Sequence, residues 1–234
     1  MKRIFNAVLL FVLALALFSG CASDSTVEQQ NQKAVSPFEN CEIGAYITFG
    51  TYEQDNNTDN GKEDIEWLVL DKKDGKALVI SKYALDCKPY SQEETNVTWE
   101  TCDLRNWLNN DFLHSAFSSE EKEMISTVTV PAHKNPDYTV DAGNNTKDKV
   151  FLLSIDEAEN LFVSDEDRKC EPTAFALAGN VYEYEGNCWY WLRTSGFSSN
   201  CAAYVHRHGA IDKTGYTVTY TNAAVRPAMW ISIE

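Results

Sequence analysis

Trp189-Tyr190-Trp191-Leu192-Arg193-Thr194-Ser195-Gly196 and, further on, Val225-Arg226-Pro227-Ala228-Met229-Trp230-Ile231 decide how this chain is read. Each run surrounds a single Arg with Trp and aliphatic residues. A large apolar body and a fixed cation in one short segment describe a buried strand whose charge is held by hydrogen bonds. Trp189, Trp191, Arg193, Gly196, Arg226 and Trp230 are therefore read as a structural signature, with each Arg satisfying a buried carboxylate or carbonyl.

Working outward, the N-terminal end speaks of destination. Lys2 and Arg3 precede an apolar run, Ile4 to Phe18, that ends in Ser19-Gly20-Cys21. That run is shorter than the roughly 20 residues a membrane-spanning helix needs. Its basic start and small-residue end are those of a signal peptide. The segment resembles a bacterial lipobox, with Phe18 where Leu is usual, which implies cleavage after Gly20 and acylation of Cys21. The expected organisation is a lipoprotein signal peptide over residues 1–20, a flexible polar tether over 21–40, and one folded domain over 41–234. The expected location is the extracytoplasmic face of a bacterial cell membrane, held there by lipid on Cys21.

Charge narrows the partners. Without residues 1–20 the chain carries 35 acidic residues against 18 basic ones, a net charge of −17. Such a surface repels phosphate backbones, so no nucleic acid partner is expected. Cys41, Cys87, Cys102, Cys170, Cys188 and Cys201 follow Cys21, an even number that permits up to three disulfides whose pairing the sequence leaves open. No CxxC pair is present to suggest a zinc ribbon or a thioredoxin-type site.

Strand signals fall at 45–49, 65–70, 77–81, 150–153, 202–207, 217–220 and 225–233, and Asp74-Gly75 reads as a hairpin turn. Leu104, Trp107, Leu108 and Phe112 form one apolar face of a helix beginning near Thr101 or Cys102. Ser118-Ser119-Glu120-Glu121 and Ser154-Ile155-Asp156-Glu157 read as capping boxes of two further short helices. Mixed strands, few helices and long loops make the expected class α+β.

With these motifs in place, a resemblance emerges. Thr98-Trp99-Glu100, Leu104-Arg105-Asn106-Trp107-Leu108-Asn109, Lys147 to Ser154, Arg168-Lys169-Cys170 with Pro172-Thr173, and the two opening segments resemble, in order, a bacterial domain-of-unknown-function family with WWLRSPG-type and VRPALWI-type signatures. That family is in turn similar to the C-type-lectin-like fold shared by formylglycine-generating enzymes and hypervariable bacterial receptor domains. Gly179-Asn180-Val181-Tyr182-Glu183-Tyr184 looks like the GNVWEW segment of those enzymes. The resemblance implies a single C-type-lectin-like domain and carries no established activity.

Catalytic readings are weak. Cys188 and Cys201 lack the closely spaced thiol pair that the resembling oxidases use to bind copper, so copper is disfavoured. Ser195 lacks the preceding Gly of a nucleophile elbow. Glu183 and Glu185 are only two of many carboxylates. His206 and His208 share one side of a strand, with Asp212 as the nearby acid, a set too small to favour zinc. Asp137, Asp141, Asn144, Asn145 and Asp148 offer the oxygen ligands calcium prefers, in a spacing a solvated loop also produces.

The binding reading rests on residues 197–224, rich in Tyr, Ser and Asn. The candidate ligand-binding residues are Tyr204, His206, His208, Asp212, Tyr216 and Tyr220. In the resembling receptor domains, too, the ligand face lies on strands and loops near the C-terminus. The expectation is non-catalytic binding of a glycan, peptide or surface protein. An oxidase or a structural envelope lipoprotein is the alternative.

Overall fold

The computed structural model describes residues 38–234. The expected signal peptide over 1–20, Cys21 and most of the 21–40 tether lie outside the described residues. Phe38 already packs edge-on against Phe49 at 5.5 Å, so the folded unit begins before the expected boundary at Cys41.

Strand β1 (Tyr46–Tyr52) pairs antiparallel with β2 (Glu63–Lys73), which turns into β3 (Lys76–Ser81). The turn is made where Asp74-Gly75 placed it, and both residues adopt left-handed φ, 51° and 69°. Along β2, Ile65, Trp67 and Val69 are buried at alternate positions, the period of a strand with one face inward. The chain continues through β4 (Asp86–Cys87) into α1 (Asp103–Trp107), a π-helical turn (Leu108–Phe112), α2 (Leu113–Ala116) and α3 (Ser119–Met124). Next come β5 (Val128–Val130), β6 (Thr146–Asp148), β7 (Val150–Phe151), α4 (Ile155–Leu161), α5 (Asp165–Arg168) and α6 (Ala174–Ala178). The last third is β8 (Glu183–Tyr184), β9 (Asn187–Cys188), β10 (Tyr190–Ser195), β11 (Cys201–Val205), β12 (Ile211–Thr217), β13 (Ala224–Val225) and β14 (Ala228–Ser232).

Two five-stranded sheets dominate this mixed α+β fold, in the orders β1-β2-β3-β14-β7 and β12-β11-β10-β13-β4. Every residue of β10 is buried, including Arg193, Thr194 and Ser195 after the apolar Trp189–Leu192 run, as in a strand covered on both faces. The second signature does something the sequence did not disclose. The expected strand over 225–233 is two strands in different sheets, because Pro227 has no N–H for a ladder and the chain bends at Arg226-Pro227. Residues 81–85 bend alongside it: Leu85 N–H donates to Val225 O and Ser81 N–H to Pro227 O, both at 2.9 Å. A ribbon of two paired segments therefore passes from one sheet into the other and joins them.

Both capping boxes form, at Ser118 with Glu121 and at Ser154 with Glu157. The Leu104–Phe112 helix starts after Cys102 and loosens into the π-helical turn at Leu108. There Asn109 uses its whole amide: Nδ2 donates to Val150 O at 2.8 Å and to Arg105 O at 3.1 Å, while Oδ1 accepts from the N–H groups of Lys149 and Val150. That clasp fixes the helix to β7. One further expectation is corrected: of residues 217–220 only Thr217 is in a strand. It closes β12, which lies almost wholly before the expected stretch, and Val218 and Thr219 form a turn. The exposed, polar alternation of β12 hid it, since Lys213, Thr214 and Gly215 carry no apolar signal. Among the described residues, no helix is long and apolar enough to cross a membrane.

Candidate functional site

Trp189 lies at the junction of β9 and β10, where the buried signature strand begins. Three tyrosines gather on it. Tyr204 of β11 meets it edge-on at 4.8 Å between ring centroids, Tyr220 at 5.3 Å and Tyr216 of β12 at 5.9 Å. Tyr216 and Tyr220 contact each other at 4.7 Å. Trp191 extends the stack inward, 5.1 Å from Trp189. Sheet geometry produces the cluster: Ala202 is the cross-strand partner of Tyr216 and Tyr204 that of Asp212, so positions two apart on adjacent strands present side chains to one face.

These rings, with Tyr182, His206 and Arg207, line a shallow cleft of about 190 Å³. Trp189 forms its floor at 9% exposure, whereas Tyr216 and Tyr182 are 45% and 47% exposed. Ring separations of 4.7–5.9 Å leave no slot between faces, so the cluster is a platform rather than a cage. The Arg207 guanidinium lies 4.8 Å from the Tyr184 ring, extending the aromatic surface to the β8–β9 hairpin.

The polar rim is partly pre-set. Tyr204 Oη donates to Asp212 Oδ2 at 3.1 Å, and Asp212 Oδ1 accepts the Gly215 N–H at 3.0 Å. Burial, then the Asp212 charge, then that hydrogen bond push the Tyr204 phenol up to about 12, so it stays a donor at neutral pH. His206 and His208 stack at 3.9 Å. Burial, followed by the neighbouring His208 and Arg207, holds the His206 imidazole below its ordinary range, so it is uncharged at neutral pH.

The six candidate residues thus divide. Tyr204, His206, Tyr216 and Tyr220 meet around Trp189. His208 and Asp212 border, with His206, a neighbouring cleft of about 430 Å³ formed with Asp137 and Tyr138. The sequence pattern marks Trp189 only as scaffold and does not mark Tyr182, Tyr184 or Arg207 as ligand-facing. The Tyr182-x-Tyr184 alternation before a Glu185-Gly186 turn was the available signal for the two tyrosines. A wider cleft of about 680 Å³ lies elsewhere, bordered by Tyr46, Lys82, Glu166, Lys169 and Arg226. Lys82 and Lys169 there are tied to Glu66 and Glu166, both at 2.7 Å.

Three of the five candidate oxygen donors in the 137–148 loop, those of Asp141, Asn145 and Asp148, have separate partners, and Asn144 is engaged through its nitrogens. Asp148, 1% exposed, accepts from Arg105 Nε at 2.7 Å, Trp99 Nε1 at 2.9 Å and Thr146 Oγ1 at 2.5 Å. Asp141 accepts the Gly143 N–H, Asn145 that of Ala132, and Asn144 binds Glu100. Among the described residues, Glu53, Asp55 and Glu63 are the one group of three His, Cys, Asp or Glu ligand atoms that converges. Those carboxylates already accept the backbone N–H groups of Gln54, Asp55 and Asn57 and shape their own turn.

Catalytic arrangements do not assemble around the other candidates. Ser195 Oγ donates to Asp141 O at 3.3 Å, and Glu183 accepts the Gly186 N–H of its own hairpin. Cys188 contacts Cys170, while the Cys201 thiol faces Asn200. His206, His208 and Asp212 are not a convergent ligand set either.

Both signature arginines are buried and hydrogen-bonded, by different means. Arg193 forms a two-pronged pair with Glu157, through Nη1 to Oε2 and Nη2 to Oε1, and Nη1 also donates to Leu152 O at 2.8 Å. Arg226 meets no carboxylate. It donates to the carbonyls of Ser81, Arg168 and Lys169 and to Tyr190 Oη. Gly196 belongs to the scaffold as well: a Cβ there would fall 2.4 Å from Thr214 O.

Residues 74–233 match a family described as a domain of unknown function (DUF6273), and the chain belongs to that family. No curated protein and no solved structure matches it.

Proposed function

We propose that this member of the family is a lipid-anchored cell-surface protein whose C-type-lectin-like domain binds a glycan, without catalysis, on the Trp189-Tyr204-Tyr216-Tyr220 platform. The observation that carries the reading is the platform itself. Exposed Tyr216 and half-buried Tyr204 and Tyr220 over a buried Trp189, rimmed by His206, Arg207 and the Tyr204–Asp212 pair, offer apolar area beside directional polar groups. A sugar ring has that same division, with C–H faces and an equatorial fringe of hydroxyls. Tyr204 and Tyr216 are carried by β11 and β12, Trp189 directly precedes β10, and Tyr220 follows the short turn after β12, so little ordering cost accompanies binding.

The remaining parts of the proposal have their own support. The position of the platform near the C-terminus is where the resembling receptor domains carry their ligands. The lipid anchor rests on Cys21 and the sequence before it. The high acidity disfavours polyanionic ligands and leaves neutral or cationic glycans as the class to test.

Retention on an array of bacterial cell-wall and host glycans is the test. The intact protein should bind a subset of neutral or amino-sugar glycans saturably. Tyr216→Ala should weaken retention about tenfold or more, since removing one stacking ring forfeits roughly 1–2 kcal/mol. Because Tyr216 is 45% exposed, the thermal midpoint should move by less than about 2 °C. Absence of retention on every glycan, or retention unaffected by Tyr216→Ala and Tyr220→Ala together, overturns the assignment.

A further inference from the structure

The six cysteines of the described residues are unbridged, yet two of them are in contact. The Cys188 N–H donates to Cys170 O at 2.9 Å and its thiol approaches the same oxygen at 3.4 Å, while the Cys170 thiol, beside Glu171 O at 3.6 Å and Lys82 O at 3.7 Å, lies near enough to that of Cys188 for each to influence the other's ionisation. Main chains joined in that way run about 5 Å apart, a spacing a disulfide can span. Three of the other four thiols point elsewhere: Cys87 to Thr221 O, Cys102 to Trp99 O, and Cys201 to Asn200 Oδ1.

From this contact we infer that Cys170 and Cys188 close into a disulfide when the protein folds in an oxidising compartment, and that this bridge fastens the segment carrying Tyr182 against the floor of the aromatic platform. Residues 171–187 contain α6 and the start of the β8–β9 hairpin, and Cys188 immediately precedes Trp189. Closing that loop restrains both neighbours of the cleft.

The local chemistry favours exchange. Arg226, 3% exposed, has only carbonyls and one phenol as hydrogen-bond acceptors, so its charge acts on the nearby sulfurs. Burial opposes ionisation of Cys170, but the neighbouring Cys188 thiol and the Arg226 charge outweigh it and hold that thiol below its ordinary value. The Cys170 thiolate attacks one sulfur of an oxidant disulfide, expelling a thiolate. Cys188 then loses its proton and attacks the Cys170 sulfur of the mixed disulfide, releasing the second thiolate. Two protein thiols and one oxidant disulfide become one protein disulfide and two reduced thiols. Both sulfurs are buried in the finished fold, so the oxidant gains access through local opening of the 171–187 segment, which leaves Arg226 outside the opened stretch.

The test refolds the full chain in a reduced and oxidised glutathione buffer, alkylates free thiols and maps the peptides by mass spectrometry. A linked peptide pair joined at Cys170 and Cys188, about 2 Da lighter than the two reduced peptides together, is expected. Recovery of both residues as alkylated thiols, or their linkage to other cysteines, overturns the inference. In parallel, reductant should lower the wild-type midpoint by roughly 5–10 °C and leave that of Cys188→Ser unmoved. An equal effect of reductant on both proteins also overturns it. If Cys188→Ser does not fold, the wild-type peptide map decides alone.

Discussion

The Arg226 guanidinium donates to the Tyr190 phenol oxygen at 3.2 Å and lies 5.2 Å from the centroid of the same ring. Through that contact the two signature segments become one structural unit. Tyr190 Oη in turn donates to Arg168 O, which also accepts from Arg226, so three segments share two oxygens in the interior.

Removing the cation while keeping the volume tests this unit. Arg226→Met leaves the carbonyls of Ser81, Arg168 and Lys169 without their charged donor, at a cost on the order of 3 kcal/mol. The thermal midpoint followed by circular dichroism should fall by roughly 6–12 °C. Arg226→Lys should recover only part of that loss, because an ammonium cannot reach every acceptor the planar fork serves.

Acid should unfold the protein partly through Glu157. Burial raises that carboxyl, but the hydrogen bonds and charge of Arg193 prevail and hold it below its ordinary value of 4.5. The folded form therefore binds the proton less tightly than the unfolded form. The resulting stability is full above pH 4.5 and is lost as pH falls through the folded-state value. Glu157→Gln should be less stable at pH 7 by about 2–4 kcal/mol, since it leaves Arg193 buried without its counter-charge. Denaturant melts across pH 3–7 should show a flatter acid limb for the variant; parallel limbs would refute the assignment.

Asp148→Ala should be among the most damaging single changes. It strips Arg105, Trp99 and Thr146 of a shared acceptor that is 1% exposed. A loss of about 3–5 kcal/mol is expected by urea titration, with Asp148→Asn intermediate because an amide oxygen still accepts.

Gly209→Ala should disturb the His206–His208 turn. Gly209 has φ +88°, and a Cβ would fall 1.6 Å from Asp165 O, so the backbone of the turn or of α5 must move. Arg168 Nε also donates to Gly209 O at 2.8 Å. A destabilisation above about 2 kcal/mol is expected, with shifted His206 and His208 imidazole resonances in NMR spectra.

Local rules carried much of the fold. The Asp74-Gly75 turn, both capping boxes, the Cys102 helix start and the buried β10 strand all follow from residues adjacent in sequence. Errors arose where distant chain outvotes local pattern. Residues 225–233 look like one apolar strand, but Pro227 interrupts the ladder and two different sheets claim the halves. β12 looks like loop because its edge position leaves it polar, and only pairing to β11 makes it a strand.

The sequence by itself determined that Arg193 and Arg226 sit inside the protein, because no other setting suits a lone cation among Trp, Leu, Ile and Val. It also determined the composition of the candidate ligand face, four of whose residues were named from the Tyr-rich stretch between the signatures. Tertiary structure alone decided that Arg193 meets a carboxylate whereas Arg226 meets carbonyls. It also decided that Trp189 floors the tyrosine cluster and that Cys170 lies against Cys188. Each of these depends on which strands become neighbours, and strand order is set by the packing of the whole core rather than by any stretch of residues that pattern can read.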